Sequence, residues 1–366
     1  MKLKHFLYTL LMLSCGCTTP SLKLTEFSYV NDSSMRIYIP VIIGGEKYNF
    51  LFDTGCTHSK INTTKIHQTV IDTTNVMTKT LNITTYRANY EETASMYCYD
   101  FTLGKDLLVK QQLFSLYGFK NIKNSSNSLY RDSSVLGIIG LDLISKFDWF
   151  FDFDNKIVKI YKRGSRGVLL QKKEDLLLKK ERKKKAFHCK ISLNDSISQR
   201  FLFDTGFGFE SACIGDYEIA TDMIFSDSSF YYFNKKVPNC MNVDFSDSID
   251  IQVIQSLKIE DCDFQNLIAF KEEFNYSNIN IFSIGFLRRF NEMYYDSEKN
   301  EILLFKDESF NNTQTNEFIY RTKKFLTDGL DGLDSLDYYE HVQVYGGTIH
   351  LTNDSTKTSV ESIFKN

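Results

Sequence analysis

Short apolar runs broken by turn-forming residues recur along the chain, and they recur in the same order twice. "MRIYIPVIIGGEKYNFLFDTG" (35–55) and "AFHCKISLNDSISQRFLFDTG" (186–206) both read as strand, Gly-Gly or Asn-Asp turn, strand, and both end in the hexapeptide FLFDTG. Farther on, "VLGIIGLDLISKFDWFFDFDNKIVKIYK" (135–162) and "NIFSIGFLRRFNEMYYDSEKNEILLFK" (280–306) each give an apolar run, a short helical piece, and two strands joined by an Asp/Asn/Lys-rich turn. Between these anchors "FTLGKDLLVKQQLFSL" (101–116) parallels "QSLKIEDCDFQNLIAF" (255–270). Asp53 to Gly140 is 87 residues and Asp204 to Gly285 is 81, while Gly140–Ile157 and Gly285–Ile302 are both 17. The pattern predicts an internal duplication: two β-rich halves, 24–162 and 186–306, related by a pseudo-twofold axis, with Gly140 and Gly285 at equivalent positions.

The remaining segments differ in character. Residues 163–185 are rich in lysine and predict a solvated linker or exposed helix outside both halves. The tail, 307–366, has no counterpart in the repeat; Asp328, Asp331, Asp334 and Asp337, three apart, read as a capping turn or solvated loop. At the start, Lys2 and Lys4 precede a short apolar run, Phe6–Leu13, too short to span a bilayer. The following "MLSCGC" resembles a bacterial lipoprotein processing site, with Cys15 or Cys17 as the lipid anchor. The expectation is a signal over residues 1–17 and a mature protein held at the bacterial cell envelope, periplasmic or surface-exposed. An ordinary secretory signal is the alternative.

Composition narrows the class. The 366 residues carry a net charge of −3, which gives no electrostatic footprint for nucleic acid. Cys56, Cys98, Cys189, Cys213, Cys240 and Cys262 are an even set that permits disulfides or buried thiols. Cys and His show neither C-x-x-C nor a metal-ligand spacing, so no metal or cofactor is expected.

The duplicated D-T-G carries the chemistry. Asp53 follows the apolar Phe50-Leu51-Phe52, and Asp204 follows Phe201-Leu202-Phe203. A carboxylate at the end of a buried strand must be hydrogen-bonded or keep a proton. Gly55 and Gly206 allow a sharp turn and offer a backbone N–H, while Thr54 and Thr205 can hold a neighbouring backbone. A pseudo-twofold axis brings both aspartates together. Their mutual repulsion, about 4 kcal/mol at an effective dielectric of about 20, then makes them share a proton. For either copy alone, an aspartate capping its own turn competes with this reading.

On these residues the chain resembles the aspartic peptidases of the pepsin and retropepsin group. "LFDTGCTHSKI" and "GIIGLDLISKFDWFFD" look most like bacterial retropepsin-like proteins. The resemblance implies an all-β, bilobal fold of two β-barrel-like lobes and peptide-bond hydrolysis by Asp53 and Asp204. Thr54 and Thr205 would lock the two loops together. Ile138-Ile139-Gly140 and Ser283-Ile284-Gly285 would brace them. A flap hairpin is expected within 84–101, with Tyr86, Tyr90 or Tyr97 as its tyrosine. The substrate would be a polypeptide, and one chain would hold both half-sites as a monomer. Two positions depart from the family: Cys56 and Phe207 stand where pepsins carry Ser or Thr and retropepsins Ala, and Phe207 is large enough to crowd the site. A fold that binds peptides without cleaving them is therefore the second expectation. His58, close behind Asp53, is a candidate to tune the pair or a plain surface histidine.

Overall fold

The structure, a computed structural model, describes residues 22–31, 36–62, 76–84, 89–116, 135–207, 218–221, 223–234, 248–271, 280–306, 342–345 and 349–351. It is an all-β protein whose two lobes are closed six-stranded barrels. The strands before the chain's midpoint are β1 Lys23–Ser28, β2 Val30–Asn31, β3 Ile37–Ile43, β4 Glu46–Phe52, β5 Lys60–Ile61, β6 Val76–Thr84, β7 Asn89–Leu103, β8 Leu107–Leu116, β9 Val135–Ile139, β10 Asp148–Asp152, β11 Ile157–Tyr161 and β12 Leu176–Lys179. After it come β13 His188–Leu193, β14 Ile197–Phe203, β15 Ile219–Ala220, β16 Ser228–Asn234, β17 Ser248–Ile259, β18 Cys262–Lys271, β19 Asn280–Phe282, β20 Glu292–Asp296, β21 Glu301–Phe305, β22 Val342–Tyr345 and β23 Ile349–Leu351.

The first barrel runs β3-β4-β9-β5-β8-β7 and closes by pairing β7 back onto β3. The second runs β13-β14-β19-β15-β18-β17 and closes by pairing β17 onto β13. Pair for pair, the directions agree: β4–β9 and β14–β19 are parallel, β5–β9 and β15–β19 antiparallel, β5–β8 and β15–β18 parallel. The first hairpin of each barrel turns where the sequence expects it. Gly44 and Gly45 have φ of +58° and +85°, and Asn194 and Asp195 have +48° and +61°. Glycine, asparagine and aspartate tolerate that left-handed backbone best.

A six-stranded sheet, β1-β11-β10-β20-β21-β12, joins the lobes from below. Its centre is the antiparallel β10–β20 pair, where Trp149 faces Tyr295 and Phe151 faces Met293, two pairs that the pseudo-twofold exchanges. Trp149 and Phe151 are fully buried and pack on Phe52 at ring separations of 5.2 and 4.9 Å. Phe203 packs instead on Phe187, and Phe187 on Tyr295, at 6.0 and 6.3 Å. Each buried aromatic contributes on the order of 1.5–3 kcal/mol, and together they fix the strand ends that carry the two aspartates.

Two expectations are corrected. Residues 163–185 stand outside both barrels but are not wholly a solvated linker: Leu176–Lys179 is β12, the edge strand of the sheet that joins the lobes, with Leu176 and Leu178 buried and Lys179 exposed. The equivalence of Gly140 with Gly285 is also off. Asp53 N–H donates to the carbonyl of Ile139, and Asp204 N–H to that of Phe282. The residue matching Gly140 is therefore Ser283, and Gly285 lies two residues farther on, inside the 3-10 helix Ile284–Arg289. Part of the tail, β22 and β23, extends the second barrel's sheet by pairing on β16. No helix among the described residues is long and apolar enough to cross a membrane.

Candidate active site

The two D-T-G loops meet across the pseudo-twofold axis and are tied by four crossed hydrogen bonds. The Thr54 hydroxyl donates to the Phe203 carbonyl at 2.6 Å and accepts from the Thr205 N–H at 3.2 Å. The Thr205 hydroxyl donates to the Phe52 carbonyl at 2.7 Å and accepts from the Thr54 N–H at 3.1 Å. Both threonines are buried, at 1% and 0% exposure, so each bond is made without competing water. Threonine suits the position because one hydroxyl donates and accepts at once.

The glycines follow from the same crossing. A Cβ placed on Gly55 would sit 2.3 Å from Oδ2 of Asp204, and one on Gly206 would sit 2.5 Å from Cγ of Asp53. Each loop's glycine thus lies flat against the other loop's carboxyl group, and no side chain fits between. Within its own loop, Asp53 Oδ1 accepts from the N–H groups of Gly55 and Cys56 at 2.8 and 2.9 Å. Asp204 Oδ1 accepts from the N–H of Gly206 at 2.9 Å.

Both carboxyl groups are half-buried, and burial raises both above the ordinary carboxylate range. Asp204 is raised further, by the charge of Asp53 and the hydrogen bond with it. The same hydrogen bond, the N–H groups of Cys56 and Gly55 and the cation of Lys60 pull Asp53 back down. The two carboxyl groups, both raised, titrate as a pair that holds one proton in common. An acid and a base side by side can act on one water molecule, the base taking its proton as the acid donates to the group under attack.

Gly140 braces the first loop. A Cβ there would fall 2.7 Å from the backbone carbon of His58 and 2.9 Å from the carbonyl oxygen of Cys56. The Leu141 N–H donates to that same carbonyl at 2.8 Å, and in the second lobe the Ile284 N–H donates to Phe207 at 3.2 Å. Gly285 makes a different contact, donating its N–H to Ser283 Oγ at 3.2 Å. Phe207 is buried, with 5% exposure.

No protein-family model matches the chain, and a search of curated proteins finds no match.

Several supporting residues carry no sequence signal. Asp142 accepts from the N–H and hydroxyl of Ser59 at 2.8 and 2.7 Å and from the Gln112 amide at 2.9 Å. Ser59 Oγ in turn accepts from the Gly140 N–H at 3.1 Å. The network clamps the start of the helix Leu141–Ile144 to the first loop. In the second lobe the buried Glu218 and Arg289 form an ion pair, and Glu218 also accepts from the Ile268 N–H at 2.7 Å. His58 hydrogen-bonds Thr57 at 2.8 Å and acts on Asp142; the cation acting on Asp53 is Lys60.

The β6–β7 hairpin stands where a flap is expected. Tyr97 faces Val76 at its base and stacks on Tyr99 at 6.3 Å. Tyr90 pairs with Ile83 near the tip, and Tyr86 lies outside the described residues, as do Cys15 and Cys17. Cys56, Cys98, Cys189 and Cys262 are free thiols. Among the described residues no group of three or more His, Cys, Asp or Glu side chains is placed to hold a metal ion.

Proposed function

We propose that the protein is an aspartic endopeptidase of the pepsin and retropepsin kind, hydrolysing polypeptides through a water activated by Asp53 and Asp204. The observation that carries this reading is the crossed threonine bridge, which sets each carboxyl against the opposite loop's glycine. In the reaction, one carboxylate of the Asp53–Asp204 pair takes a proton from the water as its oxygen attacks the peptide carbonyl, and the protonated partner donates to the carbonyl oxygen. The tetrahedral species then collapses as the amide nitrogen is protonated and the C–N bond breaks. The N-terminal signal supports export and lipid attachment through Cys15 or Cys17, with the enzyme a monomer at the cell envelope.

Purified wild type, Asp53→Asn, Asp204→Asn and the double variant, offered a mixed peptide library from acid to neutral pH, test this. Each single variant should abolish cleavage, and the double should lose little more, because the two groups act as a unit. Wild type that cleaves nothing beyond the double variant's background would refute catalysis and leave a peptide-binding protein. For the anchor, replacing both Cys15 and Cys17 by Ser should release the protein from the membrane fraction; unchanged retention would refute it.

A further inference from the structure

Outside the D-T-G loops, Lys306 and Cys262 form a pair that the proposed hydrolysis does not use. The Lys306 ammonium donates to Cys262 Sγ at 3.1 Å, and lies 3.4 Å from the Asp263 carbonyl oxygen. It is held over the ring of Phe264, 3.7 Å from its centroid, with Phe290 at 5.5 Å. Its backbone N–H donates to Asp175 at 2.6 Å. The amine is therefore aimed at the sulfur by several independent contacts.

The other thiols with described contacts behave oppositely. Cys56 donates its S–H to the His58 carbonyl at 3.1 Å, and Cys189 to that of Phe201 at 3.7 Å. Burial pushes both thiols up to about 12. Their sulfurs stay protonated and inert. Cys262 sits instead at the first position of β18, in the turn after β17, with its sulfur accepting from a cation. That contact holds an amine nitrogen 3.1 Å from the sulfur.

We propose that Cys262 and Lys306 are a redox modification site, at which hydrogen peroxide drives a covalent sulfur–nitrogen link. The sulfur attacks one peroxide oxygen, the O–O bond breaks, and water leaves; the sulfur is oxidised by two electrons to sulfenic acid and the peroxide is reduced. Lys306, having given a proton to solvent, attacks that sulfur; the S–O bond breaks and a second water leaves. The balance is one thiol, one amine and one peroxide giving a sulfenamide and two waters. Sulfenic acids condense in this way with nitrogen when one is held close. The link joins the end of β21, in the sheet beneath the lobes, to the β17–β18 turn of the second barrel, and fixes the point from which the tail departs.

The test is peptide mapping of the purified protein without reductant, before and after hydrogen peroxide. The expected result is a peptide pair joined through Cys262 and Lys306, lighter by the thiol hydrogen and one amine hydrogen. Trypsin no longer cuts after Lys306, and dithiothreitol restores both peptides. Lys306→Arg keeps the cation but should lose the link, with Cys262 running on to sulfinic acid. Wild-type Cys262 that becomes sulfinic or sulfonic acid, or pairs with another cysteine, without any link to Lys306 overturns the proposal. So does Cys262 that stays a thiol while other cysteines oxidise. The wild-type map decides even if the variant fails to fold.

Discussion

Thr54→Val removes one hydroxyl and leaves the shape of the side chain nearly unchanged. That hydroxyl satisfies two buried backbone groups of the opposite lobe, the Phe203 carbonyl and the Thr205 N–H. At 1% exposure the site admits no water to replace it. Each orphaned group costs about 1–3 kcal/mol, so the substitution should cost about 2–6 kcal/mol. That is a large share of a typical stability of about 5–15 kcal/mol. Urea unfolding measures it directly: with a slope of about 3 kcal/mol per molar, the midpoint should fall by about 0.7–2 M. Thr54→Ser keeps the hydroxyl and should recover most of the loss. The four crossed bonds should also act together, because losing one pair lets the loops part and weakens the other. Thr54→Val with Thr205→Val should then cost less than the two single changes summed. A midpoint shift under about 0.3 M for Thr54→Val, or strict additivity of the pair, would refute the interlock.

Asp204 is raised by burial and by Asp53, so its contribution to stability is full below the ordinary carboxyl value of 3.8 and is lost as pH rises through its folded value. Asp204→Asn should therefore gain stability over wild type as pH rises, measured by urea midpoints across pH; a gain that grows toward acid would reverse the sign. His188 is lowered from 6.5 to about 4, by burial first and by Lys184 next, and its ring Nδ1 has no hydrogen-bond partner. Its contribution is full above 6.5 and lost as pH falls toward 4, up to about 3 kcal/mol, so His188→Gln should flatten the decline of thermal midpoint over that window. Lys60→Met removes a cation that lowers Asp53, so the acid limb of the pH–activity profile should move to higher pH; an unmoved limb would show that Lys60 does not reach the pair.

The duplication was legible because both copies keep the residues that geometry constrains hardest. Only Gly fits against the opposite carboxyl, and only a hydroxyl residue closes the crossed bonds, so D-T-G stands twice unchanged. The hairpin turns were legible for the same reason, as Gly44-Gly45 and Asn194-Asp195 need a left-handed backbone. Strand β12 was hidden because an edge strand needs few core-facing residues. Leu176 and Leu178 supply them amid lysines that solvate the open side. Gly285 resembles Gly140 in sequence only, because the hydrogen bonds from the two aspartate N–H groups put Ser283 opposite Gly140. Asp142, Ser59 and Gln112 come together only in the folded barrel, from positions 83 and 30 residues away from Asp142, and no local pattern marks them.

Strand β12 pairs on β21 as β1 pairs on β11, with Leu178 opposite Ile302 and Phe27 opposite Val158. Phe27 and Leu178 are separated by 151 residues, the same interval that separates Thr54 from Thr205. The repeated unit therefore begins at the chain's first described strand, and the second copy begins inside the lysine-rich stretch. Each unit carries its own edge strand, barrel and central hairpin, and lacks only a partner to pair with β10 or β20. Such a unit has the form of one subunit of a twofold dimer, and this chain joins two of them in one polypeptide. Fusion frees the two copies to diverge: the first clamps its loop with a half-buried aspartate, the second stiffens its barrel with a buried ion pair. It also fixes their ratio at one to one, so every folded molecule contains both halves of its site.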